Sequence, residues 1–532
     1  MATKTTGVSP RGEDGSKSTS VDGAKDSAQA NSQPKKPNDD SPQLIPLVEK
    51  PATSSDPDKT TEIDSESEKA AADAEFLHQE TKPMPAVSWP PPVPEYGYEA
   101  PNRPPSLRRK EEAKPATAPN VRPGVFTQEL RRALPTWALP LLTSQPLSVW
   151  LGSRVGMTLL ALLGTMMIPS IAPQGTANWY GAPGGPVLNP LINGIAGVWT
   201  RWDGQWYLKI ATEGYRVDDG SSAFFPLYPW IVTVMGWLAG ERFIWAGILL
   251  SSAFFLGALV LLHRLVRFDF HVEDAGRTVF YLAAFPMAFF FWAVYSESLF
   301  LMLSIGALLA MRAQRWWLAA LCIALAIWTR TTGLLLLLPM AWELWRAYYP
   351  PKPKADGPIP PPRPSRLDLA SLSLPAISLV LFLLWSWIVF RDPLAPLSAQ
   401  ADWNRHFSWP WQTLAGAWTA ATQVGIVFQP ENQSWTYLGA LVLALVVGAL
   451  AIRWLRPSYS IYLWAGIIFP LFSATPHNPL LSYPRFLAVL FPAFIVLALI
   501  GRNRYANQLI TWTSILLLAL YTLRFVNWYW VA

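Results

Sequence analysis

Cysteine is all but missing from this 532-residue chain. The single thiol, Cys322, excludes a disulfide framework and any zinc or iron–sulfur site built on cysteine. Histidine is scarce too: His78, His263, His271, His406 and His477 lie far apart, with none of the HExxH spacing of a zinc hydrolase. Charge is also low, at 15% of residues, against the roughly 25% usual for a soluble domain. What is abundant is apolar and aromatic: 51% of residues are apolar, with 28 Trp, 25 Phe and 17 Tyr, beside 50 Pro. So much apolar surface excludes a fully disordered chain, and it cannot all be hidden in the core of one soluble globule.

The chain reads as two unlike polymers. Residues 1–135 are rich in Lys, Asp, Glu, Ser, Pro and Ala, as in SESEKAAADAE and WPPPVPEYGYEAPNRPPS. Such segments bury too little surface to offset chain entropy, so a disordered, proline-rich cytoplasmic tail is expected. A tether is the simplest role for it, and a ligand for a proline-binding module is the alternative. The tail has no short apolar run of the signal-peptide kind. From 146 to 532 the chain is a series of apolar runs, at 149–172, 243–263, 278–296, 298–311, 316–329, 331–345, 370–390, 436–452, 459–475, 484–501 and 508–523. Several reach the roughly 20 residues a membrane helix needs. The runs 298–311 and 316–329 are short and need help from neighbours. Trp and Tyr crowd the ends, as interfacial anchors do. The expectation is an all-α polytopic membrane protein with about eleven transmembrane helices.

Lys and Arg set the orientation. Arg131, Arg132 and Arg154 flank the first run, the loop 347–367 carries four basic residues, and further basic groups lie at Arg264/Arg267/Arg277, Arg312/Arg315, Arg453/Arg456 and Arg502/Arg504. With these inside, Phe224–Gly240 cannot be a complete span and must dip into or lie along the outer side. The outer loops are then 172–223, the turn YSES at 295–298, the span end WTRTTG, the loop 391–435 and the turn at 476–485. Asp203, Glu213, Glu297, Arg330, Asp392, Arg405 and Arg485 converge on that face. Ionisable groups at the edge of an apolar bundle are expensive and are candidate functional residues. Each also has a plainer explanation: Asp203 or Glu297 as a helix cap, Arg485 as a snorkelling side chain.

The stretch RWDGQWYLKIATEGY sets aromatic residues around Asp203 and then runs as a short amphipathic helix, with Trp206, Ile210 and Glu213 at helical spacing. It is too short to span and is expected to lie at the interface. A carboxylate beside apolar surface suits a general base. Rings around it suit sugar binding or an interfacial belt equally.

The series RWDGQWYLKIATEGY, AFFPLYPW, FPMAFFFWAVYSESLFLMLS and WTRTTGLLLLLP resembles the PIG-V-type mannosyltransferases. The later RDPLAPLSAQADWNRHFSWPW and SYPRFLAVLFPAF also resemble that family's segments, so the likeness runs in order over about 146–532. The resemblance implies a GT-C-like glycosyltransferase fold, a polyprenyl-phosphate-mannose donor and catalysis on the extracytoplasmic or luminal face. It puts the family's Trp–Asp pair on Trp202 and Asp203, its FFP element on Phe224, Phe225 and Pro226, and its YSE element on Tyr295, Ser296 and Glu297.

An enzyme of this kind would use Asp203 as base, with Glu297 as the second candidate. Arginine would hold the leaving lipid phosphate, the candidates being Arg485, Arg405, Arg330 and Lys209. Trp202, Arg201, Trp206, Phe225, Pro226, Tyr295 and Tyr483 complete the expected substrate contacts. No acidic cluster in the outer loops reads as a metal site, so no metal or other cofactor is expected. The partners expected are the lipid-linked donor, a glycan or glycolipid acceptor and membrane lipids, and no nucleic acid. The alternative is a polytopic transporter or lipid-linked-sugar flippase. Such proteins show paired halves with broken helices near the midplane, and no internal repeat is visible here.

Overall fold

The computed structural model describes residues 144–170, 189–217, 219–350, 363–401, 404–424 and 433–531. The tail expected over 1–135 lies outside them, as do parts of the loops 172–223, 347–367 and 391–435.

The described residues are mostly helical. In chain order the main elements are α1 (Gln145–Met167), α2 (Asp203–Glu213), α3 (Leu227–Leu238), α4 (Phe243–Asp269), α5 (Val272–Ala284), α6 (Glu297–Arg312), α7 (Trp316–Ile327) and α8 (Leu337–Tyr348). Then follow α9 (Ser373–Phe390), α10 (Pro410–Val424), α11 (Ser434–Trp454), α12 (Pro457–Ile468), α13 (Tyr483–Ala488), α14 (Pro492–Ile500) and α15 (Arg504–Val526). Five helices are long and apolar enough to cross a membrane: α1, α4, α9 with its short lead-in from Arg366, α11 and α15. Shorter apolar helices lie at Leu227–Leu238, Trp316–Ile327 and Pro457–Phe472.

The apolar faces are turned outward. On α1, Leu151, Val155, Leu159 and Leu163 recur every four residues and are exposed, while Met157, Ala161 and Gly164 face inward. On α9, Ile377, Leu381, Leu384 and Ile388 form a similar exposed stripe. A soluble helix shows the reverse pattern. Exposed apolar stripes with small residues at the helix contacts are what a lipid solvent selects.

Four runs that read as continuous are broken. Run 278–296 ends its α-helix at Ala284, before Pro286, and continues as a 3₁₀ turn at Ala288–Phe291. Run 331–345 begins as a 3₁₀ turn, Thr331–Leu336. Run 459–475 gives way to a 3₁₀ turn at Phe469–Phe472, and run 484–501 divides into α13 and α14 ahead of Pro492. Irregular backbone at membrane depth is tolerated only where protein covers it or where it lines a cavity. Three of these breaks, at Ala288–Phe291, Thr331–Leu336 and Phe469–Phe472, meet at the end of the bundle where α2 and α6 begin, while the break between α13 and α14 lies deeper, with the Phe491 ring against Tyr459 and Tyr462.

The opposite end is tied by buried charge. Asp269 at the end of α4 pairs with Arg312 at the end of α6 and accepts a hydrogen bond from the Tyr459 hydroxyl at 2.9 Å. Arg456 reaches Glu343 of α8 at 3.5 Å. Asp274, 1% exposed, is held by Arg277 and Arg502. Such networks contribute less to net stability than to fixing which helix end meets which. Arg154, expected at the edge of the first run, instead sits within α1, its guanidinium 5.2 Å from the Trp292 ring.

Candidate active site

Four charged side chains meet at the broken end. Arg485 Nη1 donates to Asp203 Oδ2 at 2.6 Å, and Arg485 Nε donates to Glu297 Oε1 at 2.6 Å. Arg330 Nη1 reaches the same Glu297 oxygen at 2.7 Å. The Arg485 guanidinium also lies 4.8 Å from the ring centres of both Phe290 and Tyr295. Asp203 and Glu297 each open a helix, α2 and α6, yet neither caps it with its side chain. Arg485 is nearly buried and stays in the bundle. Capping and snorkelling are therefore not what these residues do here.

The backbone that delivers Asp203 is strained. The Gly204 N–H donates to the Arg201 carbonyl at 3.2 Å, closing a turn whose first central residue, Trp202, has φ 56 and ψ −122. These are the angles of a type II′ turn, where glycine is the usual occupant. A tryptophan there costs of order 1–3 kcal/mol and must be held by its surroundings. The hold is visible. The Tyr295 hydroxyl donates to the Arg201 carbonyl at 2.8 Å and accepts the Asp203 N–H at 3.1 Å, spanning Trp202 on both sides. The Trp202 ring meets Trp528 and Trp530 edge-on at 5.7 and 5.0 Å. A second positive φ, at Ser482 (68), stands just before the helix that carries Arg485. Near Arg330, a Cβ on Gly333 would lie 2.5 Å from the Ala326 carbonyl carbon, so only glycine fits that turn.

Tyr295→Phe removes both bonds that hold Trp202. We expect lower thermal stability, at about 1–3 kcal/mol for a polar group left buried without a partner. We also expect activity per folded molecule to fall, because Asp203 is no longer aimed. Adding Trp202→Gly should restore part of the melting temperature and little of the activity, since glycine accepts the backbone angle but removes the ring. Equal recovery of both would show that Tyr295 acts only on stability.

The charged group forms one wall of a cavity of about 540 Å³. Asp203, Arg330, Arg405 and Arg485 line it, with Ser296, Thr329 and Thr332 as neutral polar groups and Phe225, Phe407, Phe472 and Trp530 among the rings. Glu297 lies behind the wall, fully buried. Two buried oxygens there, Glu297 Oε2 and Thr332 Oγ1, have no hydrogen-bond partner among the described residues. Arg405 faces the group from the loop after α9. A two-residue antiparallel pairing fixes that loop, His406 opposite Ala474 and Phe407 opposite Ser473. Arg405 donates to the Leu481 carbonyl at 3.2 Å, and no carboxylate among the described residues pairs with it. Burial and then the like charge of Arg485 lower its pKa to about 10.

Of the other residues singled out in the sequence, Phe224 also lines this cavity and the following do not. Lys209 pairs with Asp219 at 2.9 Å and lies 4.9 Å from the Trp206 ring, while Trp206 stacks on Phe224. Arg201 is buried beneath Trp528 at 4.6 Å. Pro226 precedes α3, and the buried Tyr483 donates to the Ile467 carbonyl at 3.1 Å. Asp392 accepts from Ser398 and the Leu394 N–H in its own loop, and Glu213 pairs with Arg216. Two further lining residues carry no mark in the sequence: Tyr207, whose hydroxyl shares a 2.9 Å hydrogen bond with Ser296, and Trp530, whose carbonyl accepts from Gln433 and Arg524. Nothing in the terminal NWYW marks it as part of a cavity whose other lining residues run from Asp203 to Phe486.

Long apolar helices around an internal charged cavity define a polytopic helical membrane protein with a polar site at one end. Residues 153–351 match the family described as mannosyltransferase (PIG-V), so the resemblance to the PIG-V mannosyltransferases holds over that segment. The chain is 31% identical over 177 residues to GPI alpha-1,6-mannosyltransferase 2 of Rattus norvegicus, covering 31% of this chain and 33% of that protein. The human protein of the same name is 30% identical over 197 residues, covering 34% and 39%. The aligned segment thus spans only about a third of the length of these relatives. Among solved structures, the apo oligosaccharyltransferase of Archaeoglobus fulgidus aligns at a TM-score of 0.37 and 13% identity, over 71% of this chain and 55% of that one.

Proposed function

We propose that this protein is a GT-C-type membrane mannosyltransferase. It would move a mannose from a polyprenyl-phosphate donor to a hydroxyl of a lipid- or glycan-linked acceptor, on the extracytoplasmic face and with inversion. The observation that carries the reading is the cavity wall on which Arg485 bridges Asp203 and Glu297 while Arg405 faces it without a carboxylate partner among the described residues. Sequence similarity over 153–351 supports mannose as the sugar.

The charge count fits such a donor. Three guanidinium groups, Arg330, Arg405 and Arg485, stand against two carboxylates, Asp203 and Glu297, leaving 3 − 2 = +1. A phosphodiester carries one negative charge. Its oxygens would be taken by Arg405 and Arg485, with the two-pronged geometry that arginine offers phosphate. Arg485 pulled toward the phosphate would loosen its hold on Asp203. The freed carboxylate would take the acceptor proton as the acceptor oxygen attacks the anomeric carbon opposite the departing phosphate. The growing phosphate charge would be met by groups already in place. A β-linked donor would then give an α-linked product. Incubating purified protein with labelled polyprenyl-phosphate mannose and a glycolipid fraction tests the reading. Labelled product released by α-mannosidase is expected, and none with an intact, folded protein refutes it.

With eleven passes, one per apolar run, the cavity would face the outside and the Asp269 and Asp274 networks the cytoplasm; the Lys and Arg distribution supports this orientation. In a Cys322→Ala background, a cysteine at Ala415 should label from outside in sealed cells, and one at Leu367 only after lysis. Labelling of position 367 in sealed cells would reverse the orientation.

A further inference from the structure

At the other end of the bundle lies a second cavity, of about 730 Å³, open to the surface between α4, α6 and α7. Its floor is apolar: Leu261, Leu309, Ala310 and Leu318 line it, and Gly306 leaves it deep, with Cys322 Sγ 3.4 Å from where a Cβ would stand. Its rim is not apolar. Arg264 and Arg267, one turn apart at the end of α4, and Arg315 in the turn between α6 and α7 all line it and are exposed. No carboxylate among the described residues pairs with any of the three. The nearest acid on these helices, Asp269, is already taken by Arg312 and Tyr459. Gly306 lies six residues, about 9 Å along the axis, from Arg312, so the groove runs from the charged rim into the apolar layer. Glu297 and the candidate active site begin the same helix, α6, about 22 Å from its charged end.

We propose that this groove holds one anionic phospholipid, its phosphate among Arg264, Arg267 and Arg315 and one acyl chain along Leu261, Gly306, Leu309 and Leu318. Three unpaired guanidinium groups side by side repel one another, and a phosphate relieves that repulsion while accepting hydrogen bonds. Basic residues at a membrane surface gain about a fivefold affinity each for anionic lipid, so three give about a hundredfold preference over a zwitterionic lipid. An apolar groove at membrane depth is filled by lipid chain in any case. The rim decides which lipid stays.

The chain's only thiol reports on the groove. In nanodiscs of phosphatidylcholine, adding a minority of phosphatidylglycerol should slow N-ethylmaleimide modification of Cys322 several-fold, and the purified protein should retain phosphatidylglycerol by native mass spectrometry. Both effects should vanish in the triple variant Arg264→Gln, Arg267→Gln, Arg315→Gln. Removing those charges can also disturb insertion, so a second variant leaves them alone: Gly306→Leu fills the groove and should lose the retained lipid with insertion unchanged. No protection by phosphatidylglycerol in the native protein overturns the proposal, as does undiminished retention in Gly306→Leu. Equal protection by inorganic phosphate without phosphatidylglycerol overturns it too, by showing an anion site with no use for the groove.

Discussion

Turnover is expected to fall by about 10²–10⁴-fold when Asp203 is replaced by asparagine, the usual size of a general-base effect. Asparagine keeps the shape at the start of α2 and can still accept the Arg485 Nη1–H that the carboxylate now accepts at 2.6 Å. Proton acceptance is what it loses. Donor affinity should therefore change far less than turnover, giving a loss in kcat with KM nearly held. Radiolabel transfer measured on the same amount of folded, inserted protein checks this. If Asp203 served only to neutralise Arg485, the variant would be less abundant but normal per molecule. A folded Asp203→Asn protein with near-native turnover would remove Asp203 as base and move the role to another acceptor in the cavity.

The largest stability loss is expected at Glu297. It is fully buried, and one of its oxygens takes hydrogen bonds or ion pairs from both Arg485 and Arg330. Glu297→Ala leaves two arginines facing each other across the space, with Asp203 as the one remaining carboxylate of the group. Breaking a buried pair by removing one partner costs about 3–5 kcal/mol, a large part of the 5–15 kcal/mol typical of a folded protein. Thermal unfolding in detergent should show it as a marked drop in melting temperature. Adding Arg330→Leu removes one orphaned charge, so the double variant should be more stable than Glu297→Ala alone. Additive losses would mean the two groups do not depend on each other.

Features set by local physics are legible in the sequence. The apolar runs mark the helices, because a chain in lipid must satisfy its backbone within each segment. The weak length of Phe224–Gly240 agrees with α3, a 12-residue helix too short to cross alone. Asp203, Glu297, Arg330, Arg405 and Arg485 stand out as ionisable groups beside apolar runs. Their partners do not. Lys209 looks as available as Arg485 in the sequence, yet one turns to Asp219 and the other to two carboxylates 188 and 282 residues away. Arg154 reads as a boundary marker and is instead seated against Trp292. Tyr295 reads as a substrate contact, and only the folded chain brings its hydroxyl to the strained turn at Trp202.

From the sequence alone come the helical membrane class, the apolar runs and the resemblance to the PIG-V mannosyltransferases, which holds over 153–351. Composition, run length and short motifs are properties of neighbouring residues, and nearest-neighbour physics is enough to read them. The fold adds that three broken runs meet at one end, that Arg485 joins Asp203 to Glu297 there, and that Arg264, Arg267 and Arg315 rim a groove at the other. Those outcomes depend on which helix lies beside which. That choice is made by packing and by the few buried charges that must find each other, and Arg485 finds its two carboxylates 188 and 282 residues away.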